Sequence, residues 1–216
     1  MSPLPSLADA DRQGWAVPGA ELVAPGVHRI PLPLPSDGLR AVNVYAISAE
    51  DGLTLIDGGW AIPAAEEALR KALGDIGCGL GDIRRFLVTH AHRDHYTQAM
   101  AVRRRFPVQV AIGVDEQPNI AWCQDLAHSD DIERAELPLL RRAGATRLAD
   151  LVERHPFERF NPHDWEAPDA WLEDGTPWEF PRFGLNYPVR FGGWVEPAAL
   201  PGKPPLFVEL KAPGGR

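Results

Sequence analysis

The run Thr89-His90-Ala91-His92-Arg93-Asp94-His95 places three imidazoles and one carboxylate within six residues, directly behind the apolar stretch Ile83–Val88. Imidazole nitrogen and carboxylate oxygen are the donors that zinc and similar divalent ions take in catalytic sites. On extended chain, residues i and i+2 share a face, so His90 and His92 can grip one ion. Asp94 and His95, where the chain turns into a helix, can serve a second ion close by. Two such ions can share a water, acidify it near neutral pH and polarise the bond under attack. A solitary histidine is ordinarily a surface or core imidazole, but four ligand-type residues in this spacing behind a strand are not accounted for that way.

Working outward, the flanks alternate between two periods. Ile83–Val88 and Val108–Ile112 read as strands, with a helix from about Asp94 to Arg105 between them. Upstream, Pro63 suits a first helical turn, and Ala65, Ala68, Leu69, Ala72, Leu73 and Ile76 make one apolar face. Glu66/Arg70 and Glu67/Lys71 are spaced as i,i+4 ion pairs, and Gly74 and Gly77 close that helix. Before it, Ala41–Ser48 and Leu53–Ile56 form a hairpin across Glu50-Asp51-Gly52, and the second strand runs into Asp57-Gly58-Gly59. From Val27, Ile30, Leu32 and Leu34 alternate with prolines at 31, 33 and 35, which predicts an edge strand. Strands alternating with helices indicate an α/β (α+β) fold.

Beyond Asp115 the pattern is helical to about His155. Asp130 with Glu133 resembles a capping box, Pro138 predicts a break, and Gly144 resembles a helix stop. The expected organisation is a loose arm over 1–20, one domain over 21–175 with a helical insertion over 115–160, and an irregular segment over 176–216. That last segment holds 8 Pro and 6 Gly among 41 residues and no His, Asp, Cys or Ile. So abrupt a change reads either as sequence from another frame of a GC-rich gene or as a short divergent C-terminus.

With 22 basic against 30 acidic residues the formal charge is -8, which leaves no excess to hold a phosphate backbone. Arg103-Arg104-Arg105 reads as the solvated face of a helix. Cys78 and Cys123 form no disulfide framework and no CxxC pair. The N-terminal residues lack the pattern of a signal peptide, and no stretch is apolar enough to span a bilayer. These features predict a cytoplasmic protein with a small-molecule substrate and neither a nucleic-acid nor a membrane partner.

The histidine run resembles the signature of the metallo-β-lactamase superfamily, and Leu55-Ile56-Asp57-Gly58-Gly59 is similar to the strand-end aspartate motif that precedes it there. The resemblance covers roughly residues 22–112. It implies an αββα sandwich whose first half is well matched, with His90 and His92 on a first metal, Asp94 and His95 on a second, and Asp57 supporting the loop from behind. The 115–155 stretch resembles the insertion that many of these hydrolases place over the site, and 165–175 resembles the approach to the second half of the fold. The implied activity is hydrolysis by a metal-bound hydroxide, on an ester, thioester or lactone-type bond. Asp94 also orients the nucleophile, and Zn2+ (one or two ions) is the expected cofactor, with iron or manganese as alternatives. The thioester-cleaving, glyoxalase II-like branch is the nearest analogue, although Tyr96-Thr97-Gln98 stands where that branch often has small residues.

The superfamily draws a third His on the first metal, a bridging Asp and a last His on the second from positions after about residue 175. This chain has no histidine after His163 and no aspartate after Asp174. His155 and His163 read as loop histidines, and His28 and His128 as structural. The second half of the sandwich is therefore expected to be partial or missing. A catalytically inactive or truncated member binding at most one ion is the alternative function. An iron-dependent oxygenase would share the same histidines, whereas an exported β-lactam hydrolase and a nuclease fit less well.

Overall fold

Among the described residues, nine short strands and five helices are laid out so that three successive strand ends come to one edge of a single sheet. The structure is a computed structural model and describes residues 16–35, 39–128, 136–154, 160–175, 177–180 and 185–188. The strands are β1 (Glu21–Ala24), β2 (Val27–Pro33), β3 (Ala41–Ala49), β4 (Gly52–Ile56), β5 (Ile83–Val88), β6 (Gln109–Gly113) and β7 (Ala170–Leu172), with β8 (Pro177–Phe180) and β9 (Leu185–Pro188) following. β1 to β7 form one sheet in chain order, and β8 and β9 form a separate antiparallel pair. The α/β class expected from the sequence is the one the chain adopts.

The sheet changes character at β4. Pairs from β1 to β4 are antiparallel, and those from β4 to β7 are parallel. Parallel neighbours require crossovers, and parallel strands are ordinarily covered on both faces. The residues comply: Phe86-Leu87-Val88 and Val110-Ala111-Ile112 are buried without interruption. Helix α1 (Pro63–Asp75) joins β4 to β5, and α2 (Arg93–Arg103) joins β5 to β6. Three further helices, α3 (Gln117–His128), α4 (Glu136–Arg142) and α5 (Thr146–Arg154), intervene before β7. Every parallel strand thus delivers its C-terminal end to the same edge, where open α/β sheets bind ligands.

One face of the sheet packs on the helices. Ile30, Leu32, Val44, Leu55, Phe86, Val88 and Ile112 meet Leu69 and Leu73 of α1 and Tyr96, Met100 and Val102 of α2 in one cluster. Ile47, Leu87, Ala111 and Leu172 form a smaller cluster with Val27 and Ile56 on the opposite face. The alternation Leu55/Ile56 and Phe86/Leu87 divides the two, as period two requires.

Several expectations need correction. The proline-bearing strand is an edge only over half its length. β1, which the sequence reading did not foresee, pairs with Val27–Arg29, while Pro31 and Pro33 lie beyond its end, where a missing N–H costs nothing. The i,i+4 pairs of α1 do not form: Glu67 bonds Arg70 one turn away and Glu66 reaches Arg105. The 115–155 helical run divides into three helices, with Pro138 in the first turn of α4 and Gly144 between α4 and α5. The Asp130/Glu133 capping box and His155 lie outside the described residues. The 176–216 segment was expected to be irregular, yet residues 177–180 and 185–188 are strands. Among the described residues no helix is long and apolar enough to cross a membrane.

The arginine triplet departs most from its expectation. Arg103 bonds Glu166 at 2.9 Å and the Ala167 carbonyl at 2.8 Å, Arg104 bonds the His163 carbonyl and Asp164, and Arg105 bonds Glu66 at 2.8 Å. Tyr96, fully buried on the same helix, donates its hydroxyl to the Glu166 carbonyl at 2.6 Å and stacks on Trp165 at 5.9 Å. Together they seat the 161–169 segment that leads into β7. Cys123 is buried beside this layer, and burial pushes its thiol up to about 11. Burial, then the Asp82 charge, also raises the partly exposed Cys78. At pH 8 an iodoacetamide pulse read by mass spectrometry is therefore expected to leave Cys123 unlabelled in the native chain and to label it in denaturant. Equal labelling in both states would contradict the packing described.

Candidate metal centre

The three strand ends supply the site in turn. Asp57 directly follows β4, and its amide donates to the Leu87 carbonyl at 3.0 Å, which continues the parallel ladder one step past β4. It then adopts φ +63°, a left-handed conformation that aspartate tolerates better than most side chains. Gly59 follows at φ +93°, and a Cβ there would lie 2.5 Å from a Leu32 methyl. Gly58 donates to the His95 carbonyl at 2.8 Å, and a Cβ on it would fall 2.7 Å from the Ala99 amide nitrogen. Gly58 thus lets the β4 end lie flat against α2, and Gly59 lets it pass Leu32 of β2. Gly58→Ala would push against the Ala99 backbone and its Cβ, none of which can swing aside, and is expected to destabilise the fold by about 1–3 kcal/mol, measured by urea denaturation.

The Asp57 carboxylate is buried, with 5% exposure, and is shared among the site's groups. Oδ1 accepts from the Thr89 amide at 2.8 Å and the Thr89 hydroxyl at 2.9 Å. Oδ2 lies 2.8 Å from His95 Nδ1. Thr89 Oγ1 is in turn 2.9 Å from His90 Nδ1. An ionised carboxylate only accepts, so the Thr89 hydroxyl gives it its proton and must accept from His90 Nδ1. Both His90 and His95 then carry their proton on Nδ1, and both Nε2 lone pairs point away from Asp57. One buried carboxylate fixes two tautomers, as the hydrogen-bond partners behind metal-binding histidines commonly do.

The two Nε2 atoms face other ligand-type side chains. His90 Nε2 lies 2.9 Å from His92 Nδ1, and His95 Nε2 lies 3.5 Å from Asp94 Oδ2. The His90 ring centroid is 4.5 Å from that of His92 and 4.1 Å from that of His95. Burial, then the charges of His95 and His92, push the His90 imidazole down to about 4, so it stays neutral. Burial alone would lower His95, but the hydrogen bond and charge of Asp57 outweigh it and hold its pKa above the usual imidazole value.

His90 and His92 follow β5 directly, as expected, but across a bend rather than on continuously extended chain, with the His92 amide donating to the His90 carbonyl at 3.0 Å. Their donors still converge. His163 is exposed and faces Glu166, His128 bonds the Gln124 carbonyl within its own helix, and His28 sits in β2 opposite Ala46. None of these three joins the cluster. Sequence reasoning missed Thr89, quoted but given no role, and Glu116, whose Oε2 accepts from the Ala91 amide at 3.1 Å. It also missed Trp60 and Phe160, whose rings flank the Arg93 guanidinium at 4.9 and 5.5 Å.

The family model of the metallo-beta-lactamase superfamily matches residues 37–184. The chain belongs to that superfamily. Its fold is similar to that of a metallo-beta-lactamase family protein from Thermus thermophilus, with 23% identity and a TM-score of 0.51 over 78% of this chain and 52% of that one. A beta-lactamase domain protein from Burkholderia ambifaria gives 20% identity and a TM-score of 0.53 over 79% and 47%. A metallo-beta-lactamase of Cronobacter sakazakii with a HARLDQ motif gives 17% and 0.52 over 80% and 54%. The chain therefore spans about half the length of these solved relatives. Short stretches also match glycogen phosphorylases, 52% identical over 33 residues in Pasteurella multocida and 61% over 28 in Haemophilus influenzae. These cover 15% and 13% of this chain and at most 4% of those proteins.

Tested as a cradle for the superfamily's divalent ions, the donors fit in part. His90 with His92 and Asp94 with His95 are two correctly typed pairs, and Asp57 turns the Nε2 atoms of His90 and His95 outward. Among the described residues, however, no three His, Cys, Asp or Glu side chains converge on one ion. Asp57→Ala strips the acceptor from a backbone amide, a hydroxyl and an imidazole at once. It is expected to cost on the order of 2–3 kcal/mol in urea denaturation, with Asp57→Asn intermediate. An unchanged midpoint for Asp57→Ala would show that the carboxylate does not hold the loop.

Proposed function

We propose that the chain is a metal-dependent hydrolase of the ester, thioester or lactone type, with His90 and His92 on one ion and Asp94 and His95 on a second. The observation that carries this reading is the 2.9 Å approach of His90 Nε2 to His92 Nδ1. At that separation two imidazole nitrogens share a proton, and a small parting of the rings would let a tetrahedral zinc take both at about 2.0–2.1 Å. When bound, such ions supply Lewis acidity, lowering the pKa of water and polarising the bond under attack. The chain's own residues do the rest. Asp57 and Thr89 keep His90 and His95 in the ligand tautomer, and Asp94 Oδ2 accepts the proton of an approaching nucleophile and orients it. Zn2+ is the ion that imidazole and carboxylate favour here, with iron or manganese as alternatives. The acidic net charge favours a small-molecule substrate over a nucleic acid. The thioester-cleaving, glyoxalase II-like branch is the one the motif resembles most.

A second reading is favoured by the donor count. Each pair contributes two protein ligands, whereas catalytic zinc takes three and a water. The chain would then be an inactive or truncated member holding at most one ion. Elemental analysis of purified protein beside a His92→Ala control separates the readings. Near two ions per chain, lost in the control and removed together with thioester or lactone turnover by a chelator, is the outcome expected of the hydrolase. Less than one weakly held ion and no turnover would establish the inactive member.

A further inference from the structure

The loop carrying His90 and His92 is held from both sides by carboxylates of neighbouring strand ends. On the β4 side, Asp57 takes the Thr89 amide at 2.8 Å. On the β6 side, a short 3-10 turn (Val114–Glu116) brings Glu116 Oε2 to the Ala91 amide at 3.1 Å, and the same oxygen accepts from Asn119 Nδ2 at 2.9 Å. Ala91 is itself buried, with 5% exposure, so its N–H could not turn to water if Glu116 were lost. The His92 amide is bonded to the His90 carbonyl. Three of the four amides from Thr89 to His92 are thereby anchored, and the one between the two histidines is anchored by Glu116.

The β5–β6 register makes this contact structural in origin: Val88 pairs with Ile112, so the two strands end side by side and their following loops must meet. Asn119, in the first turn of α3, donates to Glu116 Oε2 and so helps to set the Glu116 rotamer. Swinging the Ala91 peptide would rotate both flanking residues and separate His90 Nε2 from His92 Nδ1.

We propose that Glu116 is a positioning residue for the His90–His92 pair, holding the two imidazoles at ligand spacing through the Ala91 amide. The inference rests on the metal-binding reading of that pair and says nothing of substrate. Its test uses the 216-residue chain with Glu116→Ala and Glu116→Gln. Two quantities are measured: amide exchange at Ala91 by NMR on metal-free protein, and Zn2+ affinity by competition with a chromophoric chelator. Gln keeps an oxygen acceptor at the same reach; Ala does not. In Glu116→Ala, Ala91 exchange is expected to accelerate at least about tenfold and Zn2+ affinity to fall about tenfold or more, with both within about threefold of wild type in Glu116→Gln. A Glu116→Ala protein that melts lower but binds Zn2+ as tightly as wild type would overturn the proposal, leaving Glu116 a purely structural contact. Wild-type protein that takes up no Zn2+ would overturn the metal reading instead. Ala91 exchange would then decide by itself whether Glu116 holds the loop: unchanged exchange in Glu116→Ala rejects it, and accelerated exchange restored by Gln supports it.

Discussion

A single buried carboxylate organises the functional edge of this protein. Asp57 sits at the end of β4 in a left-handed conformation, 5% exposed. An isolated carboxylate in that position would be costly to ionise. It is offset by three donors, the Thr89 amide, the Thr89 hydroxyl and the His95 imidazole, all within 2.9 Å of one of its oxygens. Those donors belong to the loop and helix that follow the next strand. The electrostatic requirement of one residue therefore ties β4, β5 and α2 together and turns both imidazoles outward. The flat glycine pair behind Asp57 is the steric side of the same constraint.

Helix α2 is the second member of that arrangement, and its two ends do different work. Its first turn carries Asp94 and His95 into the site. Its last turn and the residues after it seat the chain that returns to β7: Arg103 and Arg104 grip 163–169, while Tyr96 reaches the Glu166 carbonyl from the middle. Burial alone would raise the Glu166 carboxyl, but the hydrogen bonds from Arg103 and His163 outweigh it and hold it below the usual carboxylate range. These are half-buried pairs with geometry fixed on both sides, so they contribute more to placing the segment than exposed pairs would. Through this grip β7 is set beside β6, and the sheet gains its seventh strand.

What could be read from the sequence was what is local. Period two in β3 and β4, the 3.6 period of α1 and the apolar runs of β5 and β6 announce their elements, and the histidine run announces the centre by composition and spacing. What could not be read depends on partners far along the chain. Arg103-Arg104-Arg105 looks like a solvated helix face until residues about sixty positions later are laid against it. Glu116 is one acid among many until the β5–β6 register brings it under Ala91. The pairs expected within α1 yield to Arg70 at closer spacing and to Arg105 from another element. β1 is exposed throughout, which left no buried periodicity to detect. The strands at 177–180 and 185–188 lie in Pro- and Gly-rich sequence, where composition argues against strand and pairing decides for it.

The His90–His92 contact has a physical consequence for the proposed metal site. A catalytic ion needs donors held apart by the ion's own size, and a loop that must collapse its lone pairs together without an ion ordinarily resists or rearranges. Here the His90–His92 contact satisfies itself: with His90 protonated on Nδ1 by the Thr89 relay, His92 Nδ1 can donate its proton to His90 Nε2 across the observed 2.9 Å. That hydrogen bond holds the two rings together, so the pair is ordered by contacts of the chain itself. What an ion must do is displace one proton from between them. Its affinity for this pair is then governed less by folding of the loop than by that exchange and by the number of further donors the chain can bring. The first is set by Asp57 through Thr89; the second is what the proposed hydrolase and the inactive member differ in.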